Sequence, residues 1–70
     1  MDLCELRAEM ARQQISIPKL ANLIGINKKQ LYARFSEKVA FKQNEIQKIK
    51  NVLNLSDEKM ITIFFSQNVS

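Results

Sequence analysis

The chain contains no histidine and only one cysteine, one glycine and one proline. Without histidine, Cys/His zinc sites, Cys–His nucleophile pairs and the Ser-His-Asp triad are excluded together. One glycine and one proline leave too few breakers for the turns of an all-β fold. Gly25 stands alone, so there is no glycine-rich loop to cradle a phosphate. Cys4 has no partner for an internal disulfide, which points to a reducing compartment, and a small apolar residue of this kind is expected to be buried. No apolar run approaches the roughly 20 residues of a membrane span. The opening Met1-Asp2-Leu3-Cys4-Glu5 lacks the basic-then-apolar order of a signal peptide. A cytoplasmic protein is expected. The polar stretch from Ser66 to Ser70 reads either as a natural tail or as the stub of a linker.

What is present is a globular composition, 46% hydrophobic and 26% charged, in 70 residues, enough for one domain. A core of this size supplies only about 3–5 kcal/mol, so close helix packing or dimerisation is the expected remedy. The net charge of +4 is unevenly distributed. Arg12, Lys19, Lys28, Lys29, Arg34, Lys38, Lys42, Lys48 and Lys50 fill the middle of the chain, opposed there only by Glu37 and Glu45. The ends set Arg7 and Lys59 against Asp2, Glu5, Glu9, Asp57 and Glu58. A basic centre between acidic flanks is the pattern expected when one face meets a polyanion, although solvated helices are often lysine-rich as well.

Periodicity and capping residues predict an all-α fold of five helices. The first follows Asp2, with Glu5 three residues on as a capping box, and buries Leu3, Leu6 and Met10 before ending at Gln13-Gln14. Ser16 caps the second, Pro18 suits its first turn, Leu20, Leu23 and Ile24 form its apolar side, and Gly25 ends it. Asn27 then caps a third helix almost at once. On it Lys28, Lys29, Tyr32, Ala33 and Ser36 fall within an arc of about 140°, with Leu31 and Phe35 opposite and Arg34 at the edge of the arc. Ser36 to Asn44 reads as a loop anchored by Phe41 and Val39. A fourth helix from Glu45 to about Leu53 buries Ile46, Ile49, Val52 and Leu53. Ser56 caps the fifth, where Asp57 and Glu58 suit the first turn and Met60, Ile61, Phe64 and Phe65 give more apolar surface than a short helix hides.

A helix, a tight turn at Gly25-Ile26-Asn27 and a second helix have the spacing of a helix-turn-helix unit over about residues 16–36, Ala21 allowing the close crossing. The run Leu20-Ala21-Asn22-Leu23-Ile24-Gly25-Ile26-Asn27-Lys28-Lys29-Gln30-Leu31 resembles the helix-turn-helix of the lambda-type phage repressor and Cro (Xre) family. Phe41 to Leu53, then Leu55-Ser56 and Ile63-Phe64-Phe65, are similar to small phage-repressor-like proteins of Gram-positive bacteria. The resemblance covers about residues 3–65. It implies a five-helix, lambda-repressor-like domain that binds double-stranded operator DNA, usually as a homodimer, and regulates transcription.

By the same resemblance Lys28, Lys29, Tyr32 and Ala33 are the base-reading positions. Lysine can donate to guanine O6 or N7, and an alanine methyl can meet that of thymine, but lysines also bind phosphates without reading anything. Lys19, Arg34, Lys38, Lys42, Gln43 and Asn44 are the matching phosphate contacts. The chain departs from the family pattern at several positions. Ile17 replaces a phosphate-contacting glutamine, and Ser36-Glu37 replaces an Asn-Gly turn, setting Glu37 toward the duplex. Lys42 replaces a threonine cap, leaving Asn44 to cap the fourth helix. Met10 and Phe35 replace a buried arginine–glutamate pair and are expected to meet as an apolar contact.

A competing expectation is a small helical protein-binding module, such as an antitoxin, anti-repressor or repressor modulator, since fold does not fix function. Ile61 and Phe64 are expected in the core, with Met60 and Phe65 at a dimer or partner surface. No cofactor, metal or small-molecule substrate is implied. Enzymatic activity is not expected, because the carboxylates lie on helix first turns and solvent faces. A membrane-active peptide is disfavoured because turns divide the chain into short helices.

Overall fold

The computed structural model describes residues 1–65; the polar stretch from Ser66 to Ser70 lies outside them. Among the described residues the fold is all-α, with five helices: α1 (Leu3–Arg12), α2 (Ile17–Ile24), α3 (Lys28–Phe35), α4 (Gln43–Val52) and α5 (Asp57–Met60). A π-helical segment, Ile61–Phe65, continues α5.

The starts follow from local chemistry. Asp2, Ser16 and Ser56 each accept the backbone N–H three residues on, at 3.0, 3.2 and 3.0 Å. Asn27 accepts from the Lys29 amide at 2.7 Å while Gln30 reaches back to the Asn27 amide at 2.9 Å. Two expected caps are different. Glu5 does not complete a box with Asp2; its carboxylate pairs with Lys59 at 2.8 Å and with Arg12 at 3.3 Å. Asn44 lies within α4 and does not cap it. Lys42 takes the N-cap position, where an ammonium cannot accept, and Glu45 instead accepts the Lys42 amide at 2.9 Å.

The ends share one device. Gln14, Gly25, Glu37 and Asn54 all adopt positive φ, between 53° and 78°. In each case the next residue's N–H bonds the carbonyl five back: Ile15 to Met10, Ile26 to Ala21, Lys38 to Ala33 and Leu55 to Lys50. These are Schellman closures, which normally place an apolar residue just beyond the left-handed one. Ile15 and Ile26 pack against the core and Leu55 is buried in it, but Lys38 is exposed. Lys48 also donates to the Ile24 carbonyl at 3.4 Å, beside the α2–α3 turn.

Packing brings α2 against α3 and α4, and the C-terminal segment against α1. The largest fully buried side chains are Leu6, Leu20, Ile24, Leu31, Ile49, Leu53 and Ile63. Met10 and Phe35 lie in the same apolar cluster. Phe35, Phe41 and Phe64 form an edge-to-face ladder with centroids 5.9 and 5.5 Å apart. The start of α1 and the π-helical segment are joined by the Asp2 amide donating to the Ile63 carbonyl at 2.6 Å.

Several expected core residues lie outside. Cys4 is exposed, because it sits about 140° around α1 from the Leu6–Met10 stripe. Leu23 is 48% exposed, since Leu20, Ala21 and Ile24 define a buried side that it flanks. Val39 is exposed, and Phe41 alone anchors the loop. Ile61 is 53% exposed while Ile63 is fully buried. The Met60–Phe65 run contains two overlapping helical stripes, and Met60, Ile63 and Phe64 form the inner one. Thr62 donates to the Glu58 carbonyl at 3.0 Å, a side-chain bond that bends helices, where the backbone widens into the π form.

Two stability outcomes follow from this packing. Leu31→Ala removes a fully buried side chain and is expected to cost about 2–5 kcal/mol in urea unfolding. At Gly25 an added Cβ meets nothing within 4 Å, so Gly25→Ala should cost only the left-handed penalty, about 1–2 kcal/mol. A loss at Gly25 as large as that at Leu31 would show that the turn is sterically packed.

Candidate functional site

Helix α3 presents two different surfaces. Lys28, Lys29 and Tyr32 are exposed and Ala33 is half-buried, whereas Leu31 and Phe35 face inward. The Asn27–Gln30 cap fixes the start of this helix, and Gln30 is committed to it.

Arg34 departs from its expected place. It is only 7% exposed, and its Nε and Nη2 each donate to a Glu45 carboxylate oxygen at 2.9 Å. Its Nη1 also bonds the Gln30 carbonyl at 3.2 Å. Arg34 is thus removed from the phosphate contacts. At 100° per residue it lies about 170° from the centre of the exposed arc, so the sequence did place it inward. The expectation that puts it at the edge of that arc misjudges the angle, and an arginine is seldom buried unless paired, as this one is with Glu45. Burial pushes the Glu45 carboxyl up, but the Arg34 guanidinium and the Lys42 amide outweigh it and hold its pKa below the ordinary value.

The other cations divide into two groups. Arg12 is engaged by Glu9 and Glu5, Lys50 pairs with Asp57 at 3.2 Å, and Lys48 caps α2. Lys19, Lys28, Lys29, Lys38 and Lys42 are exposed, and none forms an ion pair among the described residues. The basic excess of the sequence therefore resolves into structural cations and a smaller set that remains available. Gln43 and Asn44 are exposed beside Lys42 at the start of α4.

Part of the available set converges. Lys29, Tyr32, Ala33, Phe35, Ser36 and Lys38 line an open cleft of about 450 Å³, together with Arg7 from α1. No carboxylate lines it. Glu37, expected to face the same way, lines a separate hollow of about 180 Å³ with Arg34 and Phe41. Lys28, Lys19, Lys42, Gln43 and Asn44 do not line the cleft. By position in the sequence Arg7 belongs to an acidic flank. Its signal was the absence of any acid three or four residues away on α1, while Glu5 and Glu9 engage Arg12.

At the far end of the chain Phe65 is exposed as expected, but Met60 is half-buried and packs on the core. Ile61 takes its place on the exposed apolar surface. No group of three or more His, Cys, Asp or Glu residues among those described is arranged to hold a metal ion. No helix among them is long and apolar enough to cross a membrane. No protein-family model matches the chain, nor does any curated protein or solved structure.

The buried ion pair has a pH signature. Because the Glu45 pKa is lowered by folding, its contribution is complete well above the ordinary 4.5 and is lost as pH falls through the lowered value. Thermal melts from pH 7 toward acid should therefore show falling stability. Glu45→Gln is expected to lose about 3–5 kcal/mol at neutral pH, since it strands a buried guanidinium, and to show a flatter acid limb. Equal acid limbs in both proteins would assign the pH dependence to other carboxylates.

Proposed function

We propose that this protein is a sequence-specific, double-stranded DNA-binding regulator of the repressor type that works in the cytoplasm and has no enzymatic activity. On this reading α2 and α3 form a helix-turn-helix unit of a lambda-repressor-like domain, and α3 enters the major groove with its N-terminal end leading. The observation that carries the proposal is the separation of surfaces on α3. One side is committed to the core and to the Arg34–Glu45 pair, and the other carries Lys28, Lys29, Tyr32 and Ala33 with no acid paired to it. Cations without internal partners suit a polyanion.

In this mechanism Lys28, Lys29, Tyr32 and Ala33 meet base edges. Lys19, Lys38, Lys42, Gln43 and Asn44 hold the backbone and set the register. A two-fold dimer would read half-sites about 34–36 Å apart, and a bound dimer over a promoter would limit transcription.

A second reading has its own support. Ile61 and Phe65, 53% and 51% exposed, form an apolar surface at the end of the chain that suits a protein partner, as in a repressor modulator. Selection of binding sites from random duplex DNA, read by sequencing and followed by salt titration, separates the two. An enriched inverted repeat with steep salt dependence supports the DNA reading. Absence of enrichment, with only weak binding at low salt, favours the protein-binding module. On the enriched site Lys28→Ala and Lys29→Ala should each cost about 1–3 kcal/mol and relax preference at one position where the lysine meets a base. Undiminished affinity and preference in both variants would take α3 out of the groove.

A further inference from the structure

We propose that the cleft between α1 and α3 is a seat for a single backbone phosphate, with Arg7 as its anchoring donor and Lys38 as a flanking cation, while Lys29 on its rim reaches on toward the bases. This rests on the DNA-binding reading and adds to it a contact from the first helix.

Three observations converge on the cleft. First, its charge is of one sign: Arg7, Lys29 and Lys38 line it and no carboxylate does. Second, Arg7 is exposed and lies over an aromatic ring without an acid partner among the described residues. Its guanidinium carbon lies 5.1 Å from the centroid of the Phe35 ring, and Phe35 is locked in the edge-to-face ladder to Phe41 and Phe64. A guanidinium attracted to a ring face spends no N–H donor on a hydrogen bond there, so its donors stay available to an oxyanion. The acids of α1 that might engage it are occupied, Glu5 by Lys59 and Arg12, and Glu9 by Arg12. Third, Lys38 sits just beyond the left-handed Glu37, where the other Schellman closures turn Ile15, Ile26 and Leu55 inward. A lysine there gives up an apolar contact and lines the cleft with a cationic side chain instead.

The ring makes the seat specific to Arg7. Ordering a long side chain is usually a cost of binding, and here the Phe35 contact meets part of it before the ligand arrives. Tyr32 supplies a hydroxyl with no bonded partner among the described residues, while that of Ser36 already donates to the Ala33 carbonyl at 3.0 Å.

The test uses the full chain on its enriched duplex, comparing the parent with Arg7→Gln and Arg7→Lys. If the seat holds a backbone phosphate, Arg7→Gln lowers the slope of log affinity against log salt by about 0.9, with base preference unchanged. Scanning the duplex with single methylphosphonates, which neutralise one phosphate at a time, then identifies a position that weakens the parent but not Arg7→Gln. Arg7→Lys keeps the charge without the guanidinium fork and falls between the two. If the parent enriches a site and Arg7→Gln has the parent's slope and methylphosphonate profile, the seat is wrong and the DNA reading stands. If the parent prefers no duplex, the DNA reading fails and the backbone assignment with it. Titration with inorganic phosphate, followed by amide shifts at Lys29 and Lys38, then shows whether the cleft takes a free phosphate instead.

Discussion

The fold hinges on one buried ion pair. Arg34 and Glu45 meet through two hydrogen bonds in a site where neither has appreciable exposure, and each has a further bond to the backbone. Arg34 reaches back to the Gln30 carbonyl within α3, and Glu45 holds the amide that begins α4. The pair therefore fixes the distance from the exposed helix to the start of the next one across the intervening loop. Burying two charges is unfavourable and is offset only when geometry and extra hydrogen bonds are good, so such a pair gives register more readily than stability. Here the register it sets is that of Lys28, Lys29 and Tyr32 relative to Lys42, Gln43 and Asn44.

The same economy governs the surface charge. A net charge of +4 conceals two populations, one consumed by Glu5, Glu9, Glu45, Asp57 and the end of α2, the other left to solvent. The second population carries the functional argument, because a cation already paired within the chain has less to offer a polyanion. Arg7 joins it from outside the basic middle of the sequence, by way of an aromatic ring rather than an acid.

The helices, their caps at Asp2, Ser16, Asn27 and Ser56, and the left-handed Gly25 were legible in the sequence, since each depends on chemistry within a few residues. The misplacements are equally physical. Arg34, expected at the edge of the exposed arc, lies opposite it on α3, and its burial depends on Glu45 from another helix. Ile61 and Ile63 could not be separated by periodicity, because the C-terminal run is apolar on both stripes and the choice is made by packing against α1. Asn44 lost the cap to Glu45, which accepts the Lys42 amide at capping-box spacing, a local pattern obscured because the residue at the N-cap is a lysine. The candidate site was half legible: α3 displays its residues as the periodicity requires, but the cleft also needs Arg7, and only the tertiary fold brings α1 to Phe35.

The lysine just past α3 has a consequence for motion. At the ends of α1, α2 and α4 an apolar side chain must leave the core before the last turn can unwind, which ties local opening to the stability of the whole domain. Just past α3 the matching residue is the exposed Lys38, which opposes opening of residues 36–40 only through its backbone bond. Residues 36–40 can therefore fray without disturbing the core, and the amides there should exchange with solvent sooner than those at the other three helix ends. Of these four helix ends, the one beside the cleft is thus the best able to adjust its shape to whatever the cleft receives.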